Sequence, residues 1–163
     1  MKFVVLNAIA WAALLGGLGI AGHAPSGPLL IPVPREHYYL FEAIAVVPVH
    51  VAMALALIGV SHAVASRMGG TGTRSALTPR LALAMAGPSF FFWWLPDVVV
   101  VLAYGFETLA PAMRVYVPVA MVVTLVLSAV AIRQTHELSI PQATAAAFLG
   151  LIAHAVIGMP ILR

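Results

Sequence analysis

The chain has no cysteine in its 163 residues, which excludes disulfides, thiolate metal sites and thiol catalysis and leaves the redox compartment unassigned. Charge is almost as scarce. Charged side chains make up 8% of the sequence, against roughly 25% in an ordinary soluble domain, so the chain cannot build a water-facing surface. The net charge of +3, from 8 Lys plus Arg against 5 Asp plus Glu, sits mostly at the ends of apolar segments. That placement suits lipid headgroups and speaks against nucleic acid. Nucleophile motifs are missing too: there is no Gly-x-Ser-x-Gly elbow and serines are scattered. We therefore expect no enzyme activity and no cofactor.

What the sequence does have is apolar length, 63% hydrophobic overall. Five stretches run from Phe3 to Ala21, Leu40 to Ala63, Leu81 to Ala103, Val115 to Ile132 and Gln142 to Leu162. Each is near the ~20 residues that cross a hydrocarbon core ~30 Å thick. The expected fold class is all-α, a polytopic transmembrane bundle of about five spans forming a single domain over 1-163. Four prolines (Pro25, Pro28, Pro32 and Pro34) keep the first connection out of helix. At the fourth, Ser139, Pro141 and Gln142 combine an N-cap, an early-turn proline and the polar residue three after the cap. The first stretch has a second reading as a cleaved signal peptide, with Lys2 ahead of the apolar run and small residues, Ala21 to Ala24, after it. Its length and Asn7 favour a span. Lys2, Arg67, Arg74, Arg80 and Arg133 fall on one side, and Arg35, Arg114 and Arg163 on the other. The positive-inside rule then puts the N-terminus in the cytoplasm and the C-terminus outside, in a cell inner membrane.

Helices in lipid associate through small residues. Ala8, Ala12 and Gly16 form one such ladder in the first stretch, with Ala13, Gly17 and Ala21 alongside, and Ala146, Gly150, His154 and Gly158 form another in the last. Kinks are expected at Pro48, Pro88, Pro96 and Pro118, where each missing N–H leaves a carbonyl in need of another partner.

Ionisable groups inside apolar runs are costly and usually face a bundle interior. Here they are Glu42, His50, Asp97 and His154, all placed by the proposed orientation in the outer half. Glu42 and His50 are eight residues apart, so they share overlapping faces of one helix. One reading makes the four a proton relay or solute path. Were a metal held, His50, Asp97 and His154 would be its ligands. The plainer reading, which the loose spacing favours, has Glu42 reaching the interface, Asp97 capping backbone freed by Pro96, and each histidine bonded to a neighbouring helix. His62 and Arg67 read as snorkelling interface groups. Tyr38, Tyr39, Trp93, Trp94 and Tyr104 read as an aromatic belt at the outer interface, in preference to a ligand cage.

Gly69-Gly70-Thr71-Gly72-Thr73 lacks the Gly-Lys-Ser/Thr ending of a phosphate loop and no strand precedes it, so it reads as a cytoplasmic turn capping the next helix, with Gly69, Gly70 and Gly72 as its pivots. That turn, placed between a helix ending at His62 to Met68 and an arginine-bearing helix entry, resembles the bacterial Yip1-domain membrane proteins. Thr135-His136-Glu137-Leu138-Ser139 before Gln142-Ala143 is similar to the family's connection into its final span. The resemblance implies five spans and a non-enzymatic role organising lipid or protein partners. Eukaryotic members contact Rab-type GTPases, but only Met1 and Lys2 precede the first span and no Asp-Leu-Tyr-Gly-Pro stretch is present, so that partner is not carried over. The Arg-rich, Lys-poor composition points to a bacterial source. Expected partners are the lipid bilayer and either further copies of the chain or another membrane protein. Two alternatives stand beside this reading: a small transporter or channel for protons, metal ions or a small solute, and a membrane anchor subunit of a larger complex.

Overall fold

The computed structural model describes residues 1–25 and 29–161; Pro28 of the first connection, Leu162 at the end of the last apolar stretch and the cation Arg163 lie outside the described residues. Among those described, the chain forms helices and no strands. Helix α1 is Lys2–Ile20, and a 3₁₀ turn at Arg35–His37 leads into α2, Tyr38–Arg67. Helix α3, Arg74–Ser89, passes through a π-helical turn at Phe90–Trp94 into α4, Leu95–Tyr104, so that the three form one span. After a 3₁₀ turn at Phe106–Thr108 come α5, Leu109–His136, and α6, Ile140–Gly158. Five helices are long and apolar enough to cross a membrane.

The helices outrun the apolar runs that announce them. Helix α2 has 30 residues, about 45 Å at 1.5 Å per residue, half as long again as a hydrocarbon core. The third span starts at Arg74 where the apolar run starts at Leu81, and Arg114, expected in a connection, lies inside α5. Hydropathy marks where lipid begins, whereas the helix continues until a capping residue stops it. The stops are explicit. Gly69, at φ +90°, ends α2 in a Schellman motif: Gly70 N–H bonds the Ala65 carbonyl at 3.0 Å and Gly69 N–H the Ser66 carbonyl at 3.2 Å. Thr73 Oγ1 then accepts from Ala76 N–H at 3.3 Å to cap α3. The glycine turn therefore closes one helix as well as opening the next. The expected box at α6 is present, with the Gln142 side chain accepting from Ser139 N–H at 3.2 Å.

Helix α2 is the hub, packing on α1, α3, α5 and α6, with α6 and α1 its most extensive partners. The ladder Ala146, Gly150, Gly158 is buried. At Gly150 a Cβ would collide with Ser61 Oγ and approach the Leu57 carbonyl to 3.0 Å, so only glycine lets α6 come this close; Ser61 Oγ then donates to the Ala146 carbonyl at 3.3 Å. In α1, Ala8 and Ala12 pack inward, while Ala13, Gly17 and Ala21 are exposed. That second stripe faces out because Trp11, Leu15 and Leu18 take the inward face. Asn7 Nδ2 donates to Ser89 Oγ at 2.9 Å, so α1 is tied to α3 as well as packed on α2.

Gly150→Val overpacks the α2–α6 contact and is expected to cost about 1–3 kcal/mol, read as a lower unfolding midpoint in detergent. Gly17→Val, with nothing within 4 Å of its Cβ, should leave the midpoint unchanged. Equal effects at the two sites would mean that α6 does not sit against Ser61.

Candidate functional site

The π turn between Pro88 and Pro96 orients the site. Its ladder steps back five residues, Leu95 N–H bonding the Phe90 carbonyl, and the extra residue rotates the α4 half of the span by about 100° relative to a plain α-helix. Trp93 and Trp94 consequently pack on α1. Trp94 Nε1 donates to the Ala10 carbonyl at 2.8 Å, and Trp93 stands edge-on to Trp11 with centroids 5.6 Å apart. Asp97 turns inward, 3% exposed, and accepts a hydrogen bond from the Tyr116 hydroxyl. The aromatic belt is thus corrected for four of its five members. Tyr38 and Tyr39 are buried, the two tryptophans are half-buried, and only Tyr104, at 72%, is exposed. Their amphipathic rings spend their polar edges on neighbouring helices: Tyr38 Oη, for instance, donates to the Ile161 carbonyl at 2.6 Å.

Three of the four intramembrane ionisable residues meet in one crevice. It has a volume of about 440 Å³ and is lined on α2 by Glu42, His50 and Met53 and on α6 by His154. Its walls are otherwise largely apolar. Rim residues Met121 and Val122 on α5 and Phe148 and Ile152 on α6 are at the same time exposed, so the crevice opens sideways, toward lipid. The cause is topological. Helices α5 and α6 are joined by the turn at Glu137, with φ +58°, and the crevice wall includes residues of both toward their far ends. Inside, His50 lines the crevice and its Nδ1 lies 3.1 Å from the Val46 carbonyl one turn back; a carbonyl only accepts, so this nitrogen is the donor and the other ring nitrogen of a neutral imidazole is an acceptor. Glu42 is 1% exposed and does not reach the interface, because α2 begins four residues earlier and sinks it into the crevice wall with Trp11, Val46 and Trp93.

Asp97 is not part of that crevice. It lines a separate chamber of about 230 Å³ with Trp11, Tyr39 and Phe106, and its carboxylate bonds Tyr116, not the backbone near Pro96. Tyr39 is within electrostatic reach of both Asp97 and Glu42. Trp11 and Leu15 line both cavities and divide them. The metal set His50, Asp97 and His154 is therefore not assembled, and among the described residues no three His, Asp or Glu side chains converge as a metal requires.

At the opposite end of the bundle sits a pair that spacing did not disclose. His62 Nδ1 lies 3.2 Å from His136 Nε2, linking α2 to α5. His136 is 1% exposed, with Gly70 against its ring and Thr71 N–H bonding its carbonyl at 3.3 Å. His62 is thus a packing partner and not a snorkelling group, whereas Arg67 is exposed as expected. Only the glycine turn, which brings α2 and α5 together, makes this pair, and 74 residues of separation hide it from a linear reading.

This geometry defines the class of protein: an all-α, multi-pass membrane protein with an interior crevice open to lipid. No family model, no curated protein and no solved structure matches the chain.

Tyr116→Phe removes the donor that satisfies Asp97. It is expected to lower unfolding free energy in detergent by about 1–3 kcal/mol, measured by chemical denaturation. A stability unchanged within error would show that Asp97 does not depend on this bond.

Proposed function

We propose that this is a non-catalytic, Yip1-like protein of the bacterial cytoplasmic membrane that holds and organises a lipid-type amphiphile in the crevice between α5 and α6. The observation carrying this reading is the crevice itself: apolar walls, a mouth on the lipid-facing flank, and a few polar groups at its floor. Chains enter such a cavity without crossing water, and a polar end meets Glu42 and the His50 acceptor. With the N-terminus inside, as the distribution of Lys and Arg favours, the crevice lies in the outer leaflet.

The packing favours holding over conduction. Toward the glycine-turn end, Leu57, Ile58, Leu77, Leu81 and Ile132, each at most 1% exposed, form a dry plug. The polar groups buried at this level are the hydroxyls of Ser61 and Ser128, which carry no charge, and the next titratable groups are His62 and His136 beyond them. The five-span layout and the glycine turn support the family reading, and an anchor role has no comparable surface to recommend it.

Native mass spectrometry of protein extracted with its lipid is the test. Wild type should retain a bound amphiphile, and Ala120→Phe together with Ala155→Phe, which fill the crevice, should reduce retention about tenfold while the oligomeric state is unchanged. Retention untouched by the fillings would overturn the site. Proton or metal flux in liposomes that is carried by wild type and lost in His154→Ala would overturn the role in favour of transport.

A further inference from the structure

The smaller chamber has a different chemistry from the crevice. Its walls are aromatic and aliphatic: Trp11 and Leu18 from α1, Tyr39 from α2, and Phe106 from the 3₁₀ turn ahead of α5. Pro25 and Phe106 belong to connections between helices, so the chamber lies at an end of the bundle, beneath the membrane surface. Tyr39 stands edge-on to Phe106 with centroids 5.9 Å apart, and His23 stacks on Phe106 at 4.3 Å, which fixes that ring. The one carboxylate on its wall is Asp97, buried at 3% and carried at the first turn of α4. Among the described residues no basic side chain lines the chamber. Arg35 directs its guanidinium to the carbonyl of Pro25, itself a lining residue, at 3.0 Å.

A carboxylate held in an apolar, aromatic enclosure is costly unless a cation joins it. Aromatic rings on the wall beside one anion attract a cation that sheds water readily, since ring quadrupoles and the carboxylate add. Small metal ions need several oxygen ligands, and this chamber offers one carboxylate and one phenol. We propose that the chamber of Trp11, Tyr39, Phe106 and Asp97 is a binding site for an organic ammonium group, of the alkyl- or quaternary-ammonium class. Such a group reaches it either as a free small cation or as the headgroup of a zwitterionic lipid. The site is independent of the crevice behind Trp11 and Leu15.

The test uses full-length protein in a non-ionic detergent, followed by unfolding midpoint and by equilibrium binding of radiolabelled choline. Choline or tetramethylammonium chloride should raise the midpoint saturably where equal sodium chloride does not, and 3,3-dimethylbutan-1-ol, the uncharged isostere of choline, should bind at least about tenfold more weakly. Asp97→Asn should lose choline binding about tenfold or more, as should Phe106→Ala, a partly buried ring in a connection between helices whose removal buries no new polar group and so reports on the site even if the Asp97 variant fails to fold. Phe106→Trp should restore it. Nanodiscs of phosphatidylcholine and phosphatidylglycerol separate the sources. If free cations fail but phosphatidylcholine is enriched around wild type and not around Phe106→Ala, the headgroup is the ligand. Absence of saturable binding in both arms, or equal binding of the isostere, would overturn the proposal.

Discussion

The contact on which the rest of the bundle depends is the one between Gly150 and the Ser61 turn of α2. It sets how near α6 comes to the hub helix, and it does so without a hydrophobic driving force, since lipid is as apolar as any side chain there. Close approach gains dispersion over the whole length of Ala143, Ala146, Ala147 and Gly150, all buried, and permits a side-chain bond to a main-chain carbonyl. With α6 fixed on α2 and tied to α5 by a tight turn, a crevice stays open among α2, α5 and α6 away from that turn. The crevice is the geometric remainder of that arrangement, and the dry plug and the open cavity are two ends of one packing solution.

A second constraint governs which polar groups survive in the interior. Several polar side chains of the interior bond a different helix or their own preceding turn: Asn7 to Ser89, Ser61 to Ala146, His62 to His136, Tyr116 to Asp97, His50 to Val46. These bonds act as positional locks more than as a net source of stability, because the membrane-embedded unfolded chain also satisfies such groups. Their distribution is uneven in a useful way. Locks at the glycine-turn end join α2, α5 and the loop between α2 and α3, whereas at the other end the carboxylates and the crevice histidines line cavities.

How much of this was legible in the sequence depends on the range of the interaction responsible. The spans, the Ser139–Gln142 box and the stop at Gly69 rest on local rules of hydropathy and capping, and they could be read directly. The Ala146–Gly150 ladder was readable as a face but not as a contact with Ser61. Tyr38, Tyr39, Trp93 and Trp94 misled because an interfacial aromatic and a buried one have the same linear context, and what separates them is the π turn, which no local composition rule predicts. Asp97 misled for the same reason. Its neighbour Pro96 suggested a backbone partner, but the rotation introduced at Phe90–Trp94 presents it to Tyr116, nineteen positions away. The shared face of Glu42 and His50 was available from helical periodicity, whereas its meeting with His154 needed the crossing of α2 and α6.

Between the two cavities the wall is Trp11, held by a hydrogen bond from its indole to Ser89 at 3.3 Å and by the edge-on Trp93. The partition is thus anchored to α3 and the π turn and is not a loosely packed gate. An anchored partition keeps the anionic chamber, with its Asp97, from merging with the crevice that holds Glu42 and the two imidazoles. Were they one cavity, water reaching Asp97 from the membrane surface would hydrate the crevice floor and weaken every polar contact there, since such contacts gain their strength from low dielectric. Separate compartments allow one half of a small bundle to offer a largely apolar slot that holds Glu42 and two imidazoles and a smaller aromatic one that holds Asp97 side by side. Trp11 thereby serves both sites at once, which makes α1, the stretch that also reads as a leader peptide, the helix on which their separation rests.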